Sequence, residues 1–356
     1  MNFPPKPDYS NAQIDKAGDT IRKYGYARDQ SVGARLVIDE WRIAHEYPMH
    51  TFNVTLRRKA KSIYPDAIVA RRLKRLHTII DKISNRQRRM RLSQMQDIGG
   101  VRAIMKTIRQ VYQLRDIYTE PGRFPHELTA VHDYIADPQQ SGYRGVHLVF
   151  RFNNSQGRQP DSRCWDGLNV EIQLRTELQH TWATGVEVVG TMRRENLKAG
   201  QGSSDWLQLF EYLASIIALL EDSPTLPQHK NMTAQLLFKR AKQLSSRLQA
   251  EARLSGWLAA MNVSTKMKRS SRYHYNILTI DPEQHLLTIQ GFKKDNLAGA
   301  NKLLARLEQT SPDLQPVLVA AGDITSLKRA YPNYLLDTRK LITILKYLEQ
   351  TTQHPV

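Results

Sequence analysis

The chain has 356 residues, 40% of them hydrophobic, which is enough for two or three ordinary domains with a buried core and too apolar for a mainly disordered protein. No run reaches the roughly 18 apolar residues of a membrane span, the opening MNFPPKPDYSNAQIDKAG lacks a signal-peptide core, and the one cysteine, Cys164, excludes an internal disulfide and a cysteine-rich zinc site, so the reducing cytoplasm is the expected compartment. Fifty-two Lys and Arg against 34 Asp and Glu give a formal charge of +18, an excess that draws polyanions such as nucleotides, nucleic acid or acidic lipid.

In chain order, residues 9–47 read as helical, with Ser10 as a cap and Ile14, Ile21, Leu36 and Ile43 among the apolar positions. The helical pattern continues over 50–63 and breaks near Pro65. A second helix is expected from Ala67 to Ile83, within a basic stretch. From Arg57 to Arg91 there are 13 Lys and Arg and two acids, Asp66 and Asp81. That run reads either as a solvated helix face or as an anion-binding surface, and the imbalance favours the second. GGVRAIMK reads as a strand, TIRQVYQLRDIYTE as a helix with Val111, Leu114 and Tyr118 on one face, and AVHDYIA, GYRGVHLVFRF and LNVEIQLRT as three short strands. ELQHTWATGVEVVG returns to helix.

This order predicts an α+β fold with one mixed sheet flanked by helices. LKAGQGSSD (197–205) marks the best internal boundary, helices follow over 205–262, and the basic STKMKRSSR (264–272) reads as a linker. The expected organisation is a helical leader (1–50), a central domain (51–197), a helical extension (205–262) and a separate small α/β unit (264–356). Tyr331 and Tyr334 read there as core or as interface anchors. Deleting 264–356 is expected to change regulation and spare chemistry.

Three stretches carry chemistry. RLKRLHTIIDK brings Arg72, Lys74, Thr78 and Lys82 together, read here as sharing a helix, and fixed cations of this kind hold spread negative charge. RRKAKSI (57–63) has a similar composition and competes for the role. QMQDIGGVR sets Asp97 before two glycines that allow close backbone approach. In VEIQLR, alternation turns Val170, Ile172 and Leu174 one way and Glu171, Gln173 and Arg175 the other. Asp97 and Glu171 together suit Mg2+, a hard cation that sits on one or two carboxylates plus phosphate; the alternative is that Glu171 and Arg175 are surface groups on an edge strand. In GYRGVH the same alternation sets Tyr143, Gly145 and His147 on one face, where a flat ligand fits. Tyr143 is then either a packing residue or a stacking platform for a base.

Taken in order, these segments resemble the synthetase domain of the RelA/SpoT family. They are Arg72-x-Lys74-x-x-x-Thr78-Ile79-x-x-Lys82, DIGGVR (97–102), DYIADPQQSGYRGVH (133–147) and VEIQLRTELQHTWAT (170–184). The resemblance implies a nucleotidyltransferase-like fold and Mg2+-dependent transfer of the β,γ-pyrophosphate of ATP to the 3′-hydroxyl of GDP or GTP, making (p)ppGpp. It implies that Arg72, Lys74, Thr78 and Lys82 bind ATP, with Arg102 as a further phosphate contact. Thr78 stands where the family usually has serine. Asp97 falls on the metal-binding aspartate and Glu171 on the glutamate that assists the metal and activates the hydroxyl. Tyr143, His147, Gln173 and Arg175 fall on the acceptor side.

RRKAKSI is one residue short of the family spacing and reads as a decoy. PQQSG lacks a basic residue common before the family's Gly-Tyr. The leader of about 50 residues is too short for the hydrolase domain of the long members, so synthesis without hydrolysis is expected. Two alternatives stand: a toxin that pyrophosphorylates the 3′-CCA end of tRNA or an adenine nucleotide, favoured by the charge around Arg86, Arg88, Arg89 and Arg91, and an inactive RNA-binding module. A homo-oligomer or regulatory partner would engage through residues 264–356; no membrane is expected.

Overall fold

The computed structural model describes residues 3–26, 28–86, 89–153, 160–260, 262–266, 273–281, 283–311, 314, 316–320 and 338–350. Arg88, Tyr331 and Tyr334 lie outside the described residues. Ser10 opens α1 (Asn11–Tyr24) through a capping box with Gln13, and α2 (Val32–Ala44) and α3 (Glu46–Ile63) follow. Next comes β1 (Ile68–Leu73), where the sequence reading expected a helix. The basic residues drew that expectation, but Ile68 and Val69 follow a Pro-Asp turn and the segment pairs in full register with a neighbouring strand. Only the latter part of the stretch is helical: α4 (Leu76–Asp81) runs into a wide turn over Lys82–Arg86. Arg72 and Lys74 therefore sit on and just beyond a strand, and Thr78 and Lys82 on the helical segment that follows.

The next elements keep the expected order and type, although the strand read over AVHDYIA ends at Asp133 and the one read over GYRGVHLVFRF begins at Val146. They are β2 (Gly99–Met105), α5 (Ile108–Thr119), β3 (Glu127–Asp133), β4 (Val146–Arg151), β5 (Asn169–Thr176) and α6 (Glu177–Arg193). Thr107 and Thr176 close capping boxes at the starts of α5 and α6. Helices α7 (Ser204–Leu220), α8 (Ala234–Leu248) and α9 (Ala250–Ala260) form the extension. The chain continues through β6 (Asn262–Lys266), β7 (Tyr275–Asp281), β8 (Leu286–Phe292), α10 (Leu297–Thr310), β9 (Val317–Ala320) and α11 (Arg339–Gln350).

Among the described residues the strands make one sheet in the order β3-β4-β5-β2-β1-β9-β7-β8-β6. Pairs β2–β5 and β6–β8 are parallel and the others antiparallel, so the sheet is mixed and the fold α+β. The sequence reading set residues 264–356 apart as a separate unit. In the structure their strands extend the sheet through β9, which meets β1 at Arg72↔Val319.

The two sheet faces differ. On one, Val101, Ala103, Leu148 and Ile172 pack under α3 and α5. On the other, Leu278, Ile280, Leu287, Ile289 and Val319 lie under α6–α9 and α11, while the same face over β1, β2, β5 and β4 is polar. Helices α1, α2 and α4 share their own core of Ile14, Ile38, Trp41, Leu76 and Ile79. No helix among the described residues is long and apolar enough to cross a membrane.

Candidate active site

The polar half of that sheet face forms the floor of a cleft of about 1080 Å3. Pockets for one drug-sized ligand occupy roughly 300–1,000 Å3, so this one lies just above that range. Cross-strand register explains what lines it: Arg72 stands opposite Gly100, Gly100 beside Glu171, Arg102 beside Gln173, and Gln173 opposite His147. Strand β5 is flanked by β2 and β4, so Glu171 and Arg175 are not on an edge. Of the eleven residues singled out from the sequence, ten line the cleft: Arg72, Lys74, Thr78, Asp97 and Arg102 at one end, and Tyr143, His147, Glu171, Gln173 and Arg175 at the other. Lys82 stands behind the wall and reaches it through Asp97. RRKAKSI lies elsewhere, at the end of α3, which packs on the opposite sheet face.

Asp97 is a hub. Its Oδ2 accepts from Lys74 Nζ at 2.7 Å and its Oδ1 from Lys82 Nζ at 3.1 Å. Burial alone would raise its pKa, but the two ammonium groups outweigh it and hold the carboxyl at about 2. Burial pushes the Lys74 pKa down, against the pull of Asp97 and, more weakly, Glu171. Lys74 thus lies within electrostatic reach of both carboxylates. Gly100 stands beside Glu171, and Asp97 is three residues earlier, about 10 Å along the chain.

The other end is a ring of hydrogen bonds. Glu171 accepts from His147 Nδ1 at 2.8 Å and from Gln173 Nε2. A carboxylate only accepts, so His147 carries its proton on Nδ1, and its Nε2 accepts from the Tyr143 hydroxyl. That hydroxyl in turn accepts from Arg175 Nη2 at 2.6 Å, and the same nitrogen donates to Gln173 Oε1 at 3.2 Å. Burial would raise the Glu171 pKa, but His147, with help from Gln173, lowers it below the ordinary value. Burial raises the Tyr143 pKa, against Arg175, so the phenol stays protonated. Arg175 also lies over the Tyr143 ring, 4.7 Å from its centroid.

Strand alternation is not what aligns Tyr143 with His147, because β4 starts only at Val146. The preceding turn does it, with Gly142 at φ +94° and Gly145 at φ +150°. A Cβ on Gly142 would stand 2.7 Å from Ala214 Cβ and 2.9 Å from the Trp182 ring, so this turn docks directly on α7. Arg144 ties it further, donating to Ile135 O at 3.2 Å and to Pro224 O. In the PQQSG segment, Gln139 and Ser141 line the cleft where a cation was expected from the family pattern.

Sequence reasoning missed Arg75, Glu187 and Lys198, which also line the cleft. Lys198, on the turn after α6, pairs with Glu187. Burial would raise the Glu187 pKa, but Lys198, Arg72 and Arg75 hold it low. The available signal was that Glu187 is the one charged residue in the apolar TWATGVEVVG. Asp281 and Glu283 from the β7–β8 hairpin reach the rim, where Glu283 pairs with Arg194.

Asp97 and Glu171, both held ionised, are hard oxygen donors in one cleft. This donor set fits a divalent cation that completes its shell with phosphate oxygens and water. Among the described residues no group of three or more His, Cys, Asp or Glu forms a closed metal cage.

Residues 71–191 match the model of the region found in RelA/SpoT proteins. A GTP pyrophosphokinase of Escherichia coli (strain K12) is 25% identical over 187 residues, 52% of this chain and 23% of that protein. The GTP pyrophosphokinase YwaC of Bacillus subtilis (strain 168) is 27% identical over 120 residues, 32% of this chain and 52% of that protein. The chain thus spans about a quarter to a half of the length of these relatives. Among solved structures, small alarmone synthetase 1 from Bacillus subtilis bound to its product pppGpp aligns at TM-score 0.38 and 23% identity, covering 49% of this chain and 90% of that one. Small alarmone synthetase 2 from the same organism aligns at 0.41 and 19%, covering 51% and 92%. Over residues 71–191 the chain is thus similar to the region found in RelA/SpoT proteins.

Proposed function

We propose that this chain transfers the β,γ-pyrophosphate of ATP to the 3′-hydroxyl of GDP or GTP, with Mg2+. One observation carries the reading: a RelA/SpoT region in which a cation cluster, two ionised carboxylates and a half-buried tyrosine share one cleft. Arg72, Lys74, Thr78, Lys82 and Arg102 would hold ATP phosphates, and Tyr143, His147, Gln173 and Arg175 the acceptor nucleotide. Asp97 and Glu171 would hold the Mg2+, which neutralises phosphate charge when bound.

The acceptor's 3′-oxygen forms a bond to the β-phosphorus of ATP. The bond from that phosphorus to the α,β-bridging oxygen breaks, and AMP leaves with the electron pair. The hydroxyl proton passes to Glu171, which keeps unused lone pairs after accepting from His147 and Gln173. A carboxylate with a lowered pKa is a weak base, so its main contribution is to orient the hydroxyl. Positioning and fixed charge supply most of the rate.

The test incubates the pure protein with γ-32P-ATP, Mg2+ and either GDP, GTP or deacylated tRNA. Label on a guanine nucleotide with stoichiometric AMP is expected. The charge of +18 and the neutral Gln139 and Ser141 favour tRNA as the second acceptor; label in RNA alone would replace the guanine reading. ATP binding without transfer to any acceptor would leave a binding module.

A further inference from the structure

We propose that Glu308, on α10 and outside the RelA/SpoT region, is a positioning residue for the ATP side of the cleft, fixing the start of the helix that carries Thr78 and leads to Lys82. The proposal rests on the pyrophosphokinase reading above.

The first N–H groups of a helix have no partner within it. At α4 the N-cap is Arg75, whose side chain makes no capping bond. Instead the Leu76 N–H donates to Glu308 Oε1 at 3.1 Å, from a residue 232 positions away. The same carboxylate receives both terminal nitrogens of Arg42, at 2.8 and 2.7 Å. The two side chains are 2% and 6% exposed. A two-pronged guanidinium contact in a buried place leaves the carboxylate one orientation, and that orientation presents Oε1 to Leu76.

The ion pair alone does not explain the arrangement. A buried pair contributes little net stability against an apolar pair of similar volume. What a carboxylate adds is the acceptor for Leu76, and through it a fixed entry from β1 into α4. Arg42 belongs to α2, which shares a core with α4 through Ile38, Trp41, Leu76 and Ile79. Lys82 lies six residues beyond Leu76, about 9 Å along the helix, and its ammonium is 3.1 Å from Asp97. A shift at Leu76 is therefore carried to Thr78 and Lys82, and misplacement by about 1 Å can cost on the order of 100-fold in rate.

The test uses the full chain and separates position from stability. Glu308→Gln keeps an oxygen for Leu76 but sets an amide against Arg42. Glu308→Asp keeps the charge but withdraws the oxygen by one methylene. Glu308→Ala removes both, and Gln309→Ala, an exposed neighbour on the same helix, is the control. Measurements are KM for ATP and for the acceptor, kcat, Tm, and hydrogen exchange at the Leu76 amide. We expect KM for ATP to rise about tenfold in the Asp and Ala variants with faster Leu76 exchange. KM for the acceptor should move less than about twofold. The Gln variant should lose Tm yet keep KM. If KM follows Tm across the series, or the Asp variant matches the parent, Glu308 is structural only and the proposal fails. A parent that binds no ATP overturns the pyrophosphokinase reading itself, whereas a parent that binds ATP with the same affinity as the Asp variant overturns this proposal alone.

Discussion

Replacing Tyr143 with phenylalanine separates two roles the residue combines. Its ring is the proposed surface for a base, and its hydroxyl links Arg175 to His147. Tyr143→Phe keeps the ring and removes only the link. Arg175 Nη2 then loses its 2.6 Å acceptor, and His147 Nε2 loses its donor. Hydrogen bonds to charged groups contribute about 1.5–3 kcal/mol, and orphaning a half-buried partner costs a similar amount. Arg175 retains Gln173 Oε1 at 3.2 Å, which puts the loss at the low end, about 1.5–2.5 kcal/mol. At 1.36 kcal/mol per tenfold, kcat should fall about 10- to 70-fold. Acceptor affinity should change less than about threefold, because stacking, worth about 1–3 kcal/mol per base, survives. Tyr143→Ala should lose that stacking as well and weaken acceptor binding by about 5- to 150-fold. The assay is steady-state transfer with the acceptor varied, plus direct acceptor binding. Equal kcat in parent and Phe variant would refute the relay, and equal acceptor binding in the Phe and Ala variants would refute the platform.

Gly142→Ala should destabilise by about 2–5 kcal/mol, since it adds a Cβ 2.7 Å from Ala214 Cβ and 2.9 Å from the Trp182 ring at φ +94°; Ala214→Gly should restore only the Ala214 share of the loss in thermal melts, leaving the Trp182 contact and the backbone part. Asp97 is held at about 2 against an ordinary 3.8. Its folded pKa is depressed, so its contribution of about 2 kcal/mol is present above pH 4 and lost as pH falls through 2; urea titrations should show that slope and Asp97→Asn should lack it. Ending the chain after Ala260 should abolish cooperative melting, because β7, β8, β9 and α11 complete the sheet and the core over it. A truncated protein with a sharp melt and full transfer would restore the separable-unit expectation.

How legible the site was depended on the range of the contacts behind it. The polar face of β5 was readable because side-chain alternation is a two-residue rule and the strand is regular. Strand β1 was not, because its charges hid its use of both faces. Arg71 is buried beside Glu46, 3.8 Å away, under the α3 layer, while Arg72 next to it enters the cleft. The Tyr143–His147 pairing was anticipated for a reason the structure replaces: two glycines with positive φ make it, ahead of the strand. Glu187 had only its isolation in an apolar helix to reveal it, and Lys198 and Glu308 had no local pattern at all. Each matters through a partner that only the folded sheet and its covering helices bring near.

The continuity of one sheet face also explains why the cleft lies where it does. Over β9, β7 and β8 the face is apolar and α6–α9 and α11 cover it; from β1 to β4 the same face is polar and uncovered. Helix α6 crosses the junction and brings Glu187 towards Arg72 and Arg75. Eight cations (Arg71, Arg72, Lys74, Arg75, Arg102, Arg175, Arg194 and Lys198) then share the lining with seven acids, Asp81, Asp97, Glu171, Glu187, Glu195, Asp281 and Glu283. Half-buried like charges repel more strongly than solvated ones, so the cations grouped at one end of the cleft, Arg72, Lys74 and Arg102, repel one another although acids and cations nearly balance over the whole lining. A polyphosphate chain carries the complementary charge, and binding it relieves that repulsion while leaving the carboxylates at the floor. The same sheet that fixes the core thus sets where negative charge must enter, and the +18 of the whole chain extends the attraction outward from that point.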